Sequence, residues 1–135
     1  MALTNNIERR MMLQGSYTVS IPAAGTDVFY KGAMVNIAAA GNIEVAADAA
    51  SEFYGGIVFE YVSAVTGTLV KIIRSAKVWL PKGTTVLTDM MSDVFATADD
   101  TVALSASNVP RMGIVVDYDE DEDEILVDTA YAENA

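Results

Sequence analysis

The hydrophobic and polar positions of this chain alternate in short stretches from Ser16 onward. Apolar and polar residues alternate over residues 17–21, and a segment rich in Pro, Gly, Thr and Asp separates them from the next apolar stretch. Alternation with a period of two is typical of a strand that buries one face, and such clusters are typical of turns. Short strands at regular intervals predict an all-β fold, a small single-domain β-barrel or sandwich.

The same pattern predicts further strands along the chain. The segment at residues 69–73 is dense in β-branched residues, which favour strands. Residues 111–118 and 125–129 are expected to form an antiparallel hairpin, and residues 46–52 a loop or a helical turn. The other predicted strands are residues 28–30, 34–37, 43–45, 53–62, 77–80, 86–87, 94–96 and 102–104.

One strand segment occurs twice. The sequence GIVFEY at residues 56–61 recurs as GIVVDY at residues 113–118. Two further landmarks are shared in the same order: Lys31-Gly32 with Lys82-Gly83, and Leu69-Val70 with Leu126-Val127. Two copies are too few for a solenoid, so the repeat predicts one domain built from two similar halves. The alternative is a chance echo between strands rich in Gly, Val and Ile.

Residues 1–14 differ from the rest of the chain and are predicted to form an amino-terminal arm. Asn5 or Asn6 is suited to cap a short helix, in which Ile7 and Met11 share one face. The arm concentrates basic and flexible apolar side chains, which suit a surface that docks on a partner. The expected contact residues are Ile7, Arg9, Arg10, Met11, Met12 and Leu13. The alternative is a frayed terminus, or a strip folded over the chain's own barrel.

The composition argues against most catalytic and metal-binding chemistry. The 135 residues are enough for one domain with a real core, and we expect a barrel over residues 15–130 and a short tail at residues 131–135. The chain has no Cys and no His, so it lacks thiolates, the usual general base and the commonest metal ligand. We therefore expect neither an enzyme nor a bound cofactor.

The net charge restricts the choice of partner. A charge of −11 argues against binding nucleic acid through its phosphates, which requires clustered Lys and Arg. No apolar stretch has the length of a membrane span, and residues 1–10 lack the apolar core of a signal peptide. We expect synthesis in the cytoplasm, with neither nucleic acid nor membrane as a partner.

The acidic run DYDEDEDE at residues 117–124 is the strongest local charge signal. Its alternate carboxylates resemble the spacing of a calcium-binding loop, but the glycine that such a loop needs for its sharp bend is missing. Clustered like charges repel one another and are usually solvated. The favoured interpretation is therefore a hairpin tip that faces solvent and is dispensable for folding, and the alternative is a cation site.

Two larger side chains outside the arm are secondary candidates for an interface. Trp79 stands beside Leu80 and Pro81 and is predicted to lie in the core. Aromatic and Arg side chains can also anchor interfaces, so Trp79 and Arg74 are kept as interface candidates. Lys31 and Lys82 each precede a Gly and are interpreted as turn residues rather than as catalytic groups.

The order of these landmarks resembles the capsid cement, or head decoration, proteins of bacteriophages, of the small β-barrel kind. The resemblance is one of pattern and covers residues 16–130. It is carried by the Lys31-Gly32 turn, GNIEVA at residues 41–46, FYGGIV at 53–58, VWLPKG at 78–83, RMGIV at 111–115 and ILVD at 125–128. Family members often have Gly-Asp before a strand in the second half, where this chain has DMMSD at residues 89–93.

The resemblance implies a mechanical role on the outer surface of a virion. Such proteins bind the outside of an expanded phage head, commonly as homotrimers, and tie neighbouring subunits of the major capsid protein together against the pressure of packaged DNA. A second reading is a soluble binding module, such as a tail or baseplate component or a surface glycan binder. A third is a carboxylate enzyme or cation-binding protein that uses the acidic run.

Overall fold

The computed structural model describes residues 3–38, 40–47, 52–81, 90–105 and 111–132. Regular structure in these ranges is almost entirely β-strand, which confirms the predicted all-β fold. The strands are β1 (Met11–Met12), β2 (Tyr17–Pro22), β3 (Asp27–Phe29), β4 (Met34–Ile37), β5 (Ile43–Val45), β6 (Phe53–Val58), β7 (Val62–Ala64), β8 (Leu69–Arg74), β9 (Lys77–Pro81), β10 (Asp93–Ala96), β11 (Val102–Ala103), β12 (Gly113–Asp119) and β13 (Glu124–Asp128). A short 3₁₀ helix, Thr129–Tyr131, follows β13.

Two large antiparallel sheets contain most of these strands. The amino-terminal sheet has the order β2-β8-β6-β4-β5, and the carboxy-terminal sheet has the order β1-β9-β13-β12-β10-β11. Strands β3 and β7 pair in a small third sheet. When β1 is left out, the two large sheets correspond strand for strand, β2 to β9, β8 to β13, β6 to β12, β4 to β10 and β5 to β11. The predicted construction from two similar halves is confirmed.

The repeated glycine stands at an equivalent point in both sheets. Gly56 of β6 lies opposite Val35 of β4, and Gly113 of β12 lies opposite Val94 of β10. A Cβ atom on either glycine would lie 2.5 Å from the carbonyl oxygen of a neighbouring strand, at Ile73 for Gly56 and at Asp128 for Gly113. Close approach of another backbone is one reason for Gly inside a strand. The shared GIV segment therefore reflects one packing requirement that occurs twice.

The predicted Lys-Gly landmark is wrong in its second position. The N–H of Gly32 donates to the carbonyl of Val58 at 3.0 Å, and the N–H of Met91 donates to the carbonyl of Val115 at 2.7 Å. Both residues have positive φ, 87° for Gly32 and 64° for Met91. The counterpart of the first turn is therefore at Met91, and the predicted counterpart at residues 82–83 lies outside the described residues.

The other landmark, Leu69-Val70, is displaced by two residues. Ile72 pairs with Val58 in the same way as Val127 pairs with Val115. The halves differ in their connections, because β7 is inserted between β6 and β8 whereas β12 and β13 are joined directly. The number of residues between equivalent positions of the two halves therefore cannot stay constant in this part of the repeat.

The amino-terminal sheet closes into a barrel because the residues after β2 bond to the β8 side and also to β5, the strand at the opposite margin of the sheet. Ala23 donates its N–H to the carbonyl of Thr68 at 2.8 Å, and Ala24 donates to the carbonyl of Ile43 at 3.0 Å. One buried cluster fills this barrel and includes Phe29, Val35, Val58, Val70 and Ile72. A second cluster joins the two sheets and includes Met34, Tyr54, Ile57, Val78, Leu80, Val115, Ile125 and Val127.

The strand predicted over residues 53–62 ends early. Strand β6 stops at Val58, the chain bends at Phe59 and Glu60, and β7 then pairs with β3 instead of continuing the large sheet. The bend moves the side chains of residues 59–61 out of the sheet pattern. The strand predicted at residues 86–87 lies outside the described residues, and Ala46, Ala47 and Glu52 lie in irregular structure.

Candidate interaction surface

The amino-terminal arm lies in extended form along its own barrel, so the predicted helix is wrong. The N–H of Leu3 donates to both carboxylate oxygens of Asp99, at 3.0 and 3.2 Å. The N–H of Ile7 donates to the carbonyl of Lys31 at 2.9 Å. The side-chain oxygen of Asn6 accepts from the N–H of Lys31, also at 2.9 Å, and so caps a loop of the barrel rather than a helix.

Gly32 lets the arm lie directly on the barrel. A Cβ atom on Gly32 would lie 2.6 Å from both the carbonyl oxygen and Cγ1 of Ile7. The carbonyl of Gly32 accepts a hydrogen bond from Nε of Arg9 at 3.0 Å. The Lys-Gly turn, interpreted from sequence only as a turn, is thus also the seat of the arm.

Arg9 is directed at the barrel rather than at solvent. Its Nη2 atom and the hydroxyl of Tyr54 are both buried without a hydrogen-bond partner among the described residues. Burial lowers the pKa of Arg9, and the carboxylate of Asp100 opposes this effect. Burial likewise raises the pKa of the Tyr54 phenol. An Arg keeps its charge even when it is buried, so Arg9 acts as a fixed internal cation beneath the arm.

Arg10 joins the arm to the acidic hairpin. Its guanidinium donates to the Glu124 carboxylate at 2.6 Å, lies 3.7 Å from Asp119 and stacks 4.5 Å from the centroid of the Trp79 ring. The hydrogen bond to Glu124 raises the pKa of Arg10. Trp79 is half-buried on the outer face of β9, since Val78 and Leu80 on either side fill the core. The predicted core position of Trp79 is therefore wrong.

The predicted contact residues fall into two groups. Ile7, Arg9 and Met11 face the barrel or the core, whereas Met12 and Leu13 are 52 % and 53 % exposed. Strand β1 fixes this part of the arm by pairing Met11 with Val78 and Met12 with Lys77, and Leu13 follows it directly. Of the arm's apolar contact residues, Met12 and Leu13 are therefore the ones presented to solvent. Arg74, the other secondary candidate, is half-buried at the end of β8.

A cleft of 460 Å³ separates the arm from the bend after β6, and we call it the arm cleft. Its walls include Met11 and Leu13 on one side, and Phe59 and Tyr61 on the other. Phe59 is 43 % exposed and Tyr61 is 50 % exposed, and the Tyr61 ring lies 5.7 Å from the Tyr30 ring. Sequence reasoning missed this aromatic wall because residues 59–61 continue an apolar strand pattern.

The acidic hairpin tip faces solvent, as predicted. Residues 120–123 are exposed, and the Asp119 carboxylate accepts from the N–H groups of Asp121 and Glu122 to close the turn. Within the described ranges, no cluster of three or more acidic side chains has the geometry to hold a metal ion. That the tip is dispensable for folding stays a prediction.

The chain matches no known protein family, no curated protein and no solved structure. In the described part of the chain, no helix is long and apolar enough to span a membrane. The candidate surface is therefore defined by its own geometry, a cleft whose exposed apolar rim is made of Leu13, Phe59 and Tyr61, with the exposed Met12 next to Leu13 in the chain.

Proposed function

We propose that this protein decorates the outside of a phage capsid and that the rim of the arm cleft contacts the major capsid protein. The observation that carries the proposal is the exposed apolar rim, together with the resemblance of the chain to head decoration proteins. Large apolar side chains that cluster on an otherwise charged surface mark interaction sites. Leu13 comes from one side of the arm cleft, and Phe59 and Tyr61 come from the other.

The fixed geometry of the rim suits a lattice contact. Backbone hydrogen bonds hold the arm at Ile7 and at Arg10, so Met12 and Leu13 are already in place before a partner binds. Groups held in their bound conformation lose less entropy on association. Many such weak contacts, repeated over a capsid, stabilise it without a large interface per copy. The homotrimer that the resemblance implies for the protein on the capsid stays a prediction.

Cosedimentation with capsids tests the proposal. Purified protein is mixed with expanded, DNA-free heads assembled from the major capsid protein encoded in the same genome, and bound protein is quantified after pelleting. We expect saturable binding with a fixed number of copies per head, and weaker binding to unexpanded heads. An absence of binding to expanded heads at micromolar protein would refute the proposal.

A second candidate function, recognition of a surface glycan, is favoured by one observation. Tyr30, Phe59 and Tyr61 lie together beside the arm cleft, and sugar rings commonly stack on exposed aromatic side chains. Titration with a panel of oligosaccharides, followed by the NMR signals of the Tyr61 ring, tests it. Saturable shifts that disappear in Tyr61→Ala would support glycan binding, and unshifted signals across the panel would exclude it for that panel.

A further inference from the structure

Strand β2 keeps an open edge over Thr18–Ser20, because its closure on β5 involves only Ala23 and Ala24, which follow the strand. In the ladder between β2 and β8, the N–H of Ala23 donates to the carbonyl of Thr68. Because hydrogen-bonded pairs alternate in an antiparallel ladder, Tyr17, Val19 and Ile21 also direct their backbone groups to β8. Thr18 and Ser20 therefore direct their N–H and C=O groups away from the sheet, where the described part of the chain offers them no partner.

The internal repeat shows that the equivalent edge is occupied in the other half. Strand β9 corresponds to β2, and its Trp79, the counterpart of Ser20, donates its N–H to the carbonyl of Arg10 at 3.0 Å. Both strands end in Pro, Pro22 in β2 and Pro81 in β9. The fold therefore covers one of two equivalent edges with a short antiparallel strand, β1, and leaves the other open.

The open edge does not suit the arm of another copy. At β9 the arm is held by the ring of Trp79 and by the carboxylate of Glu124, which lies opposite Pro81. The equivalent positions at β2 are Ser20 and Leu69, which lies opposite Pro22. Neither residue offers a carboxylate or an aromatic ring, so the ion pair and the stacking of Arg10 have no counterpart there.

The sequence of β2 is instead complementary to itself. We propose that two copies of this chain pair through antiparallel β2 strands about a two-fold axis at Val19. In this register Thr18 of one copy faces Ser20 of the other, so the open backbone groups of both residues bond reciprocally. Tyr17 of one copy lies opposite Ile21 of the other, with both side chains on the sheet face opposite to Thr18 and Ser20. Cross-strand pairs of an aromatic and a β-branched residue stabilise a sheet.

The charges around this edge permit self-association of an acidic protein. The chain carries a net charge of −11, which opposes contact between most of its surfaces. Strand β2 has no charged residue, and β8 beside it has Lys71 and Arg74 but no acid. Long edge strands are usually protected by charges or bulges. In β2 only Pro22, at one end, limits pairing, so the edge is open to a second copy.

Sedimentation equilibrium without capsids tests the pairing. We expect a species of twice the 14.4 kDa chain mass at tens of micromolar. Ser20→Pro removes the outward N–H and should weaken the dimer at least 10-fold, and the double variant Thr18→Lys/Ser20→Lys should do so without constraining the backbone. Ser63→Lys, which adds charge at an exposed position of β7, is the matched control.

A cysteine cross-link gives a second readout. Because the chain has no Cys, Val19→Cys forms a disulfide only with another copy, and Val19 lies on the proposed axis. Residues directly opposite in a non-hydrogen-bonded pair are close enough for a disulfide. We expect rapid cross-linking of Val19→Cys and slow cross-linking of Ser63→Cys. A monomer at all concentrations, or an oligomer of any size that is unchanged by the lysine variant, would overturn the proposal.

Discussion

The guanidinium of Arg10 donates a 2.6 Å hydrogen bond to the carboxylate of Glu124, a residue 114 positions away in the sequence. The contact joins the amino-terminal arm to the acidic hairpin, at a position of β13 whose counterpart in the other half is the apolar Leu69. The repeated sheets form the body of the molecule, and this contact fixes the arm along one edge of it.

The first prediction concerns Arg10. Arg10→Ala removes the ion pair and the stacking on Trp79, and should lower the melting temperature by about 2 °C, because exposed ion pairs contribute little. The loss should shrink in 1 M salt, which screens exposed charges. Trp79 is the chain's one Trp, so its fluorescence should shift in Arg10→Ala. In Lys77→Ala, the control on the same strand, an equal fluorescence shift would contradict the stacking.

The second prediction concerns the seat of the arm. Gly32→Ala places a methyl group against Ile7 and should cost about 1–3 kcal/mol beyond the strain of an Ala at positive φ. Gly41→Ala is the matched control, because Gly41 has the same φ of 87° with nothing within 4 Å of an added Cβ atom. Hydrogen exchange at Ile7 should quicken in Gly32→Ala alone. Equal stability and equal exchange in both variants would show that the arm does not rest on Gly32.

The third prediction concerns the repeated glycine. Gly113→Ala brings a Cβ atom to 2.5 Å from the carbonyl oxygen of Asp128 and should destabilise the fold by about 1–3 kcal/mol. Gly25→Ala is the control, since Gly25 has open space around it. Urea denaturation of both variants measures the difference. A Gly113→Ala variant as stable as Gly25→Ala would refute the packing requirement.

The fourth prediction concerns Glu52, which is buried directly before β6. Burial, followed by a hydrogen bond with the Glu44 side chain, raises the pKa of Glu52 to about 7, while Asn36 opposes the shift. The unfolded chain ionises Glu52 near its ordinary value of 4.5, so the folded state loses stability as the pH rises from 4.5 to 7.

Glu52→Gln removes this loss of stability, because Gln does not ionise. Its amide can still donate a hydrogen bond toward Glu44. Its melting temperature should exceed that of the wild type by a few degrees at pH 8, and the difference should vanish near pH 4. Glu60→Gln, an exposed substitution with the same change in charge, is the control. A difference that does not depend on pH, or that matches Glu60→Gln, would show that Glu52 is not held protonated.

The all-β architecture and its two halves can be predicted from the sequence because they depend on local patterns. Alternation gives the strands, and the steric need for Gly56 and Gly113 appears twice in the same local sequence. The turn before β10 cannot be predicted in this way, since Met91 occupies a positive-φ position for which Gly is the expected residue. The register of the repeat is lost where the connections differ in length.

The candidate surface is less predictable, because it depends on contacts between distant residues. The apolar character of Met12 and Leu13 is visible in the sequence, but their exposure depends on the pairing of Met11 with Val78 in β9. Phe59 and Tyr61 continue an apolar run, and only the bend after Val58 turns them to the surface. Trp79 is an exception, because alternation across the buried Val78 and Leu80 places it on the outer face.

The most direct test of the account is the binding of rim variants to expanded heads. Leu13→Ser and Phe59→Ser remove exposed apolar groups from opposite sides of the arm cleft, so they should leave the melting temperature nearly unchanged. Each should weaken head binding at least 10-fold, whereas Val65→Ser, an exposed apolar substitution outside the rim, should bind as the wild type does. Wild-type binding by both rim variants would contradict the claim that this surface meets the capsid.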